Sequence, residues 1–254
     1  MNLKNKILNK IKHKSPGYDL SYKLSPDELF KFRHEINKQY LNVLNINYPD
    51  FSHKFKNSSI YDYHFFSHLF NHEKLWNKSL RCLPQSFVEI VKEMKFYKKI
   101  ISDLGHFEIS FISYDDQVII GQEEIYWRIV RPNQPKDVGP LHADKWFHEI
   151  LKFDDKNLFQ KGCETYKMWI PIYSEKGKNG LLVVPDSNIG SWSYEVIIKN
   201  GNPKPVLNER VKTKLLDTDP GDIVLFGDSL IHTGSLNVGT KTRVSVEITM
   251  VFSK

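Results

Sequence analysis

Apolar residues along the chain follow two periods, and the change between them divides it into a helical first part and a strand-rich second. After Ser25-Pro26-Asp27-Glu28, residues Leu29, Phe32, Ile36, Tyr40 and Leu44 recur every three or four positions, the spacing of one helical face. The four residues before them are a helix start: a capping hydroxyl, a proline in the first turn, and acids near the positive end of the dipole. A second helix is expected after Pro84, with Phe87, Ile90, Val91, Met94, Tyr97 and Ile101 inward. From Phe107 the period becomes two. Phe107, Ile109 and Phe111 alternate with polar residues, as do Ile125, Trp127 and Ile129, and later Val244, Val246, Ile248 and Met250. Helices followed by many short strands with Gly, Pro and Asn turns predict a mainly β protein with helices, an α+β chain. Its expected core is a double-stranded β-helix, a jelly-roll barrel buttressed by N-terminal helices. The 254 residues show no repeat and no low-complexity linker, so one domain is expected over 1–254, with 1–105 mainly helical support and 106–254 the barrel.

Three distant segments of the strand-rich part carry candidate chemistry. His142-Ala143-Asp144 follows Gly139-Pro140 and reads as a short strand, on which His142 and Asp144 point to the same side. His232 lies 88 positions beyond Asp144, at the end of an apolar strand fed by the Pro220-Gly221 turn. A fold that brings it alongside the first segment presents two imidazoles and one carboxylate. That is the facial arrangement of non-haem Fe(II) oxygenases, with open positions for a keto acid and dioxygen. Eleven positions on, Arg243 and Ser245 share a face of the last alternating strand. A planar guanidinium beside a hydroxyl suits the distal carboxylate of 2-oxoglutarate. Alone, His-x-Asp is a weak signal; the turn, strand and Arg-x-Ser that accompany it make the set specific.

These segments resemble the phytanoyl-CoA dioxygenase family of Fe(II)/2-oxoglutarate oxygenases. The resemblance rests on Gly139-Pro-Leu-His142-Ala-Asp144, on Met168-Trp169-Ile-Pro171 leading to Asn179-Gly180 and Pro185-Asp186-Ser187-Asn188, and on Pro220-Gly221-Asp222 through His232 to Arg243-x-Ser245. It implies that His142, Asp144 and His232 hold iron, that Arg243 and Ser245 grip 2-oxoglutarate, and that Trp169 lines the same pocket. It also implies a hydroxylase or desaturase, because halogenating relatives carry a small residue where Asp144 stands. The reaction implied consumes dioxygen and converts 2-oxoglutarate to succinate and carbon dioxide while a bound small molecule is oxidised. The chain departs from the family at Asp186 and Asn188, where Pro-Gly-Ser-His is usual, and its first 105 residues match nothing in the family.

Composition narrows the setting. The net charge of +6 and pI near 9.0 favour anionic ligands modestly, but the lysines are dispersed and no nucleic-acid motif is present, so no nucleic-acid partner is expected. Lys4, Lys6, Lys10, Lys12 and Lys14 beside Leu3, Ile7, Leu8 and Ile11 fit either a terminal helix packed on the domain or, less readily, one resting on an anionic membrane through residues 1–14. No run approaches the ~20 apolar residues of a membrane span, and two cysteines indicate no disulfide framework, so a cytoplasmic location is expected.

Basic and aromatic residues flanking the metal segment, Arg131, Lys145 and Trp146, are candidates to hold a polar or anionic substrate, with surface ion pairing as the alternative for Arg131. His64, His68 and His72 recur every four residues and fit a polar helical face better than a zinc site, lacking the acid of a His-Glu-x-x-His helix. The segment from Ser187 to Asn208, including Trp192, Tyr194 and Asn202, is expected to shape the substrate entrance. Two other classes share these features: a cupin-like metal protein without a keto acid, and an oxygenase-derived scaffold that only binds a partner. Arg243-x-Ser245 argues against the first, and the intact candidate site against the second.

Overall fold

A computed structural model of the chain describes residues 3–112, 122–151, 163–199 and 202–253. Helix α1 (Leu3–His13) leads into strand β1 (Tyr18–Lys23) and the long helix α2 (Pro26–Asn47). Two single-turn helices, α3 (Ser52–Phe55) and α4 (His72–Leu75), precede α5 (Gln85–Glu93) and α6 (Lys95–Leu104). Strands β2 (Glu108–Ile109) and β3 (Ile125–Val130) are followed by helix α7 (Asp144–Leu151). Then come β4 (Glu164–Tyr173), β5 (Leu181–Val183), β6 (Tyr194–Lys199), β7 (Asn202–Leu207), β8 (Lys214–Leu215), β9 (Asp222–Gly227), β10 (His232–Gly234) and β11 (Arg243–Phe252).

The larger sheet runs β1-β9-β4-β11, with β3 and β2 successively on the far edge of β11, and every pairing is antiparallel. A second sheet runs β10-β5-β8, and β6 and β7 form a separate hairpin. Alternation along β11 explains the layers. Val244, Val246, Ile248 and Met250 face one way and bury against Phe32, Ile36, Tyr40 and Leu44 of α2 and the other N-terminal helices. Arg243, Ser245 and Glu247 face the other way. On that inner side Trp169 of β4 and Val224 and Phe226 of β9 pack against Leu181 and Val183 of β5 and Leu230. Two antiparallel sheets therefore meet face to face, with helices covering the outside of the larger one.

The expected capping box of α2 is present: Ser25 Oγ accepts from Glu28 N at 3.3 Å and the Glu28 carboxylate accepts from Ser25 N at 2.7 Å. Three expectations are corrected. The single helix after Pro84 is two, because Met94 is extended (φ −68°, ψ 149°), which turns the chain and leaves Ile90 exposed. The first 105 residues also contribute a strand, β1, at the edge of the larger sheet; a register shift between Asp19 and Tyr22 breaks its alternation. Finally, His64, His68 and His72 share no helix. His64 Nδ1 pairs with Thr242 Oγ1 at 3.0 Å, and His72 meets Tyr63 and Asp137.

Candidate active site

The two sheets leave a cavity of about 550 Å³ between them, lined by His142, Asp144, Trp169, His232, Arg243 and a set of further charged residues. His142 and His232 are joined as neighbouring strand residues, His142 N to His232 O at 3.1 Å and His232 N to His142 O at 2.9 Å. Asp144 is placed differently from expectation. The extended stretch stops after Ala143, and Asp144 opens α7, whose Trp146 buries against Val184 and Ile231. Convergence survives this change, because the helix entry turns the carboxylate back: His142 Nε2 lies 3.8 Å from Asp144 Oδ1. One ligand atom from each of His142, Asp144 and His232 falls within 4.8 Å of the others.

The imidazoles are oriented for coordination. His142 Nδ1 lies 2.9 Å from Pro140 O and His232 Nδ1 lies 3.0 Å from Leu230 O. A carbonyl only accepts, so each Nδ1 carries its proton and the free position of each ring for a metal is Nε2. Burial and the adjacent His232 push the His142 pKa down to about 4, so the ring is neutral near pH 7, the form a metal needs.

Deeper in the cavity Arg243, on the first residue of β11, is 1% exposed and, among the described residues, makes one hydrogen bond, to Gly180 O. Burial and Arg128 lower its pKa to about 10, which still leaves a cation near pH 7. Its Nε and the hydroxyl of Ser245, two residues along on the same face, are buried without hydrogen-bond partners among the described residues. A buried charge without a counterion is costly, and the arrangement lacks only an anion. Gly234 makes room for the guanidinium itself, since a Cβ there would stand 2.5 Å from Arg243 Nη2. Trp169 forms the neighbouring wall.

The three proposed substrate residues do not line this cavity. Arg131 is spent on Asp137, with its Nε and Nη2 at 2.9 and 2.8 Å from the carboxylate, an interaction that pins the loop leading to His142. Trp146 is buried and stacks on Tyr194 (4.8 Å between ring centres). Lys145 follows onto α7, anchored by its amide to Asp228 O. His148, whose nearness in sequence to the metal segment makes it a further candidate substrate contact, has its side chain outside the described residues. In their place the cavity presents Lys78, Arg81, Tyr126, Arg128, Lys167 and Glu247. Strand alternation could have found three of them: Glu247 stands two residues beyond Ser245, Lys167 two before Trp169, and Arg128 faces Ser245 across the β3–β11 pair. Lys78 and Arg81 come from an irregular turn that no periodicity marks. The β6–β7 hairpin reaches the cavity through Pro203 and Lys204, in the segment expected to shape the entrance.

No protein-family model matches the chain, and no curated protein matches it in sequence. Solved structures do match in shape. One is a non-heme monooxygenase, ThoJ in its apo form, with a TM-score of 0.56 at 8% identity, covering 96% of this chain and 76% of that one. Another is AviO1 from Streptomyces viridochromogenes Tue57, with a TM-score of 0.52 at 10% identity, covering 98% of this chain and 95% of that one. The chain shares their fold. Among the described residues no helix is long and apolar enough to cross a membrane.

Proposed function

We propose that the chain is an Fe(II)- and 2-oxoglutarate-dependent dioxygenase that hydroxylates a small polar or anionic metabolite or glycan precursor, releasing succinate and carbon dioxide. The observation that carries this reading is the pairing of two sites in one cavity. A His-Asp-His set converges at one end of it, and the buried Arg243 lines it without an ion-pair partner among the described residues, with Ser245 Oγ unpaired on the same strand face. Iron held by His142, Asp144 and His232, together with the keto acid, supplies the oxidising chemistry. The chain's own part is to fix the two imidazoles through Pro140 O and Leu230 O and to hold the distal carboxylate of 2-oxoglutarate on Arg243 and Ser245, with Trp169 walling the pocket. The two facing sheets are read as the double-stranded β-helix of this superfamily, and the segments that resemble the phytanoyl-CoA dioxygenase family supply His142, Asp144, Trp169, His232 and Arg243 to the cavity, which supports the reading. That ThoJ is a non-heme monooxygenase agrees with this reading. A cupin-like metal protein without a keto acid would leave Arg243 as a buried, uncompensated charge.

The test needs no substrate. Protein loaded anaerobically with Fe(II) and given 2-oxoglutarate is expected to show the visible charge-transfer band of the chelated keto acid. Asp144→Ala should abolish the band and Arg243→Met should raise the 2-oxoglutarate concentration it requires by about ten-fold or more. A folded, iron-loaded protein without the band would end the oxygenase reading.

A further inference from the structure

The cavity is lined by further charges beyond Arg243, and they do not balance. Lys78 is ion-paired with Glu124, and Arg128 with Glu247 at 2.7 Å, where the Tyr126 hydroxyl also donates. Arg81 has no such partner. Its Nε donates to Trp76 O at 2.9 Å and its Nη1 to Trp127 O at 2.7 Å, both neutral, and it forms no ion pair among the described residues. Its guanidinium also faces the Tyr126 ring, 5.9 Å from the centre. Lys167 Nζ donates to Thr249 Oγ1 at 2.7 Å, and its nearest acid is Asp144, 4.0 Å away at Oδ2. A divalent metal held by His142, Asp144 and His232 would draw on that same carboxylate, so Asp144 would offset Lys167 only in part. Of the acids lining the cavity, Asp228 then remains, held by the hydroxyls of Thr165 and Ser229. Cations enclosed between sheets without counterions are destabilising unless an anion joins them.

We propose that Lys167 and Arg81 form an anion subsite farther along the cavity from Arg243, and that the primary substrate carries a carboxylate, sulfate or phosphate that docks there. The word substrate rests on the oxygenase reading; the anion subsite itself does not. Phe111 and Phe147 supply apolar wall for the remainder of such a molecule. Arg and Lys together suit an oxyanion, the one through its planar fork and the other as a point charge.

The experiment uses Mn(II)-loaded protein saturated with 2-oxoglutarate, so that Arg243 is occupied, and titrates inorganic phosphate by calorimetry. Wild type is expected to bind phosphate, and Lys167→Met and Arg81→Met each to bind it about ten-fold more weakly. Arg81→Lys should recover part of the loss. Because Arg81 also ties two backbone carbonyls, thermal unfolding is followed in parallel. If Arg81→Met does not fold, Lys167→Met and Thr249→Val, which removes the hydroxyl that steadies Lys167, decide the matter. No phosphate binding to saturated wild type, or binding that the variants retain, overturns the subsite. Phosphate that competes with 2-oxoglutarate and is lost only in Arg243→Met overturns it too, while sparing the oxygenase reading. Absence of 2-oxoglutarate binding, with phosphate affinity still dependent on Lys167, removes the oxygenase reading and leaves the subsite standing.

Discussion

Gly234 has no side chain because the guanidinium of Arg243 fills the space a Cβ would occupy, 2.5 Å from Nη2. Its backbone is not left-handed, so the constraint is one of volume alone. Gly234→Ala is therefore expected to fold, to push Arg243 off its line toward Gly180 O, and to weaken 2-oxoglutarate binding about ten-fold, since a misaligned fork forfeits a charge-assisted bond. Metal affinity should hold, because His232 is anchored separately through Leu230 O. Equilibrium binding of Mn(II) and of 2-oxoglutarate to the same preparation checks both halves, and equal loss of the two would refute the steric account. At this scale much of the site was legible. Residue type and order singled out His142, Asp144, His232, Arg243 and Trp169, which the fold gathers around one cavity, and Ser245, which is buried two residues along β11 from Arg243 and is not among the residues lining it. The further lining of the cavity was missed, because proximity in sequence to the metal segment was the guide. Arg131 and Trp146 are near in sequence but consumed by Asp137 and by the core of α7. Arg81 and Lys167 arrive from elsewhere.

Elements were legible where local chemistry and packing agree. The start of α2 is written in Ser25-Pro26-Asp27-Glu28, and its buried face in Phe32, Ile36, Tyr40 and Leu44. Pattern alone does not disclose that Glu28 serves two helices. Its Oε2 accepts from Ser25 N, and its Oε1 accepts from Phe96 N at 3.0 Å, in the first turn of α6. Burial raises the Glu28 carboxyl, but these backbone donors outweigh it and hold the pKa below the usual value. Ser25→Ala should cost about 1 kcal/mol, the ordinary loss of a cap. Glu28→Ala should cost about 2–3 kcal/mol, because it also strands the buried amide of Phe96. Urea unfolding at neutral pH reads both, and equal costs would mean that the α2–α6 bond contributes nothing. The same bond bears on why one expected helix is two: α6 begins where Met94 turns the chain, with Glu28 ready to receive its first amides. Apolar spacing across residues 87–101 continues through that break, so periodicity could not register it.

For the whole molecule, the open question at the sequence level was what the basic N-terminus touches. The departure at Asp186 and Asn188 proves to be part of the answer. Asp186 takes the left-handed conformation (φ 68°), which glycine adopts most readily. Asn188 Nδ2 then donates to Ile11 O at 3.0 Å and Lys14 O at 3.2 Å, capping the end of α1. Ile7 and Ile11 are buried in the main core, and Lys10 and Lys12 pair with Asp19 and Glu164. The apolar face that a membrane-resting helix would need is thus already occupied by the protein. Ile11→Ala is expected to cost about 2–4 kcal/mol of stability, the range for truncating a buried aliphatic side chain. Asn188→Ala should cost about 1 kcal/mol through its lost carbonyl bonds. Denaturant unfolding gives these values, and co-sedimentation with vesicles containing phosphatidylserine tests the alternative directly. Wild type should stay in the supernatant at physiological salt. Recovery of wild type with the vesicles, together with an Ile11→Ala variant as stable as wild type, would mean that α1 leaves the domain and that its lysines face lipid instead of Asp19 and Glu164.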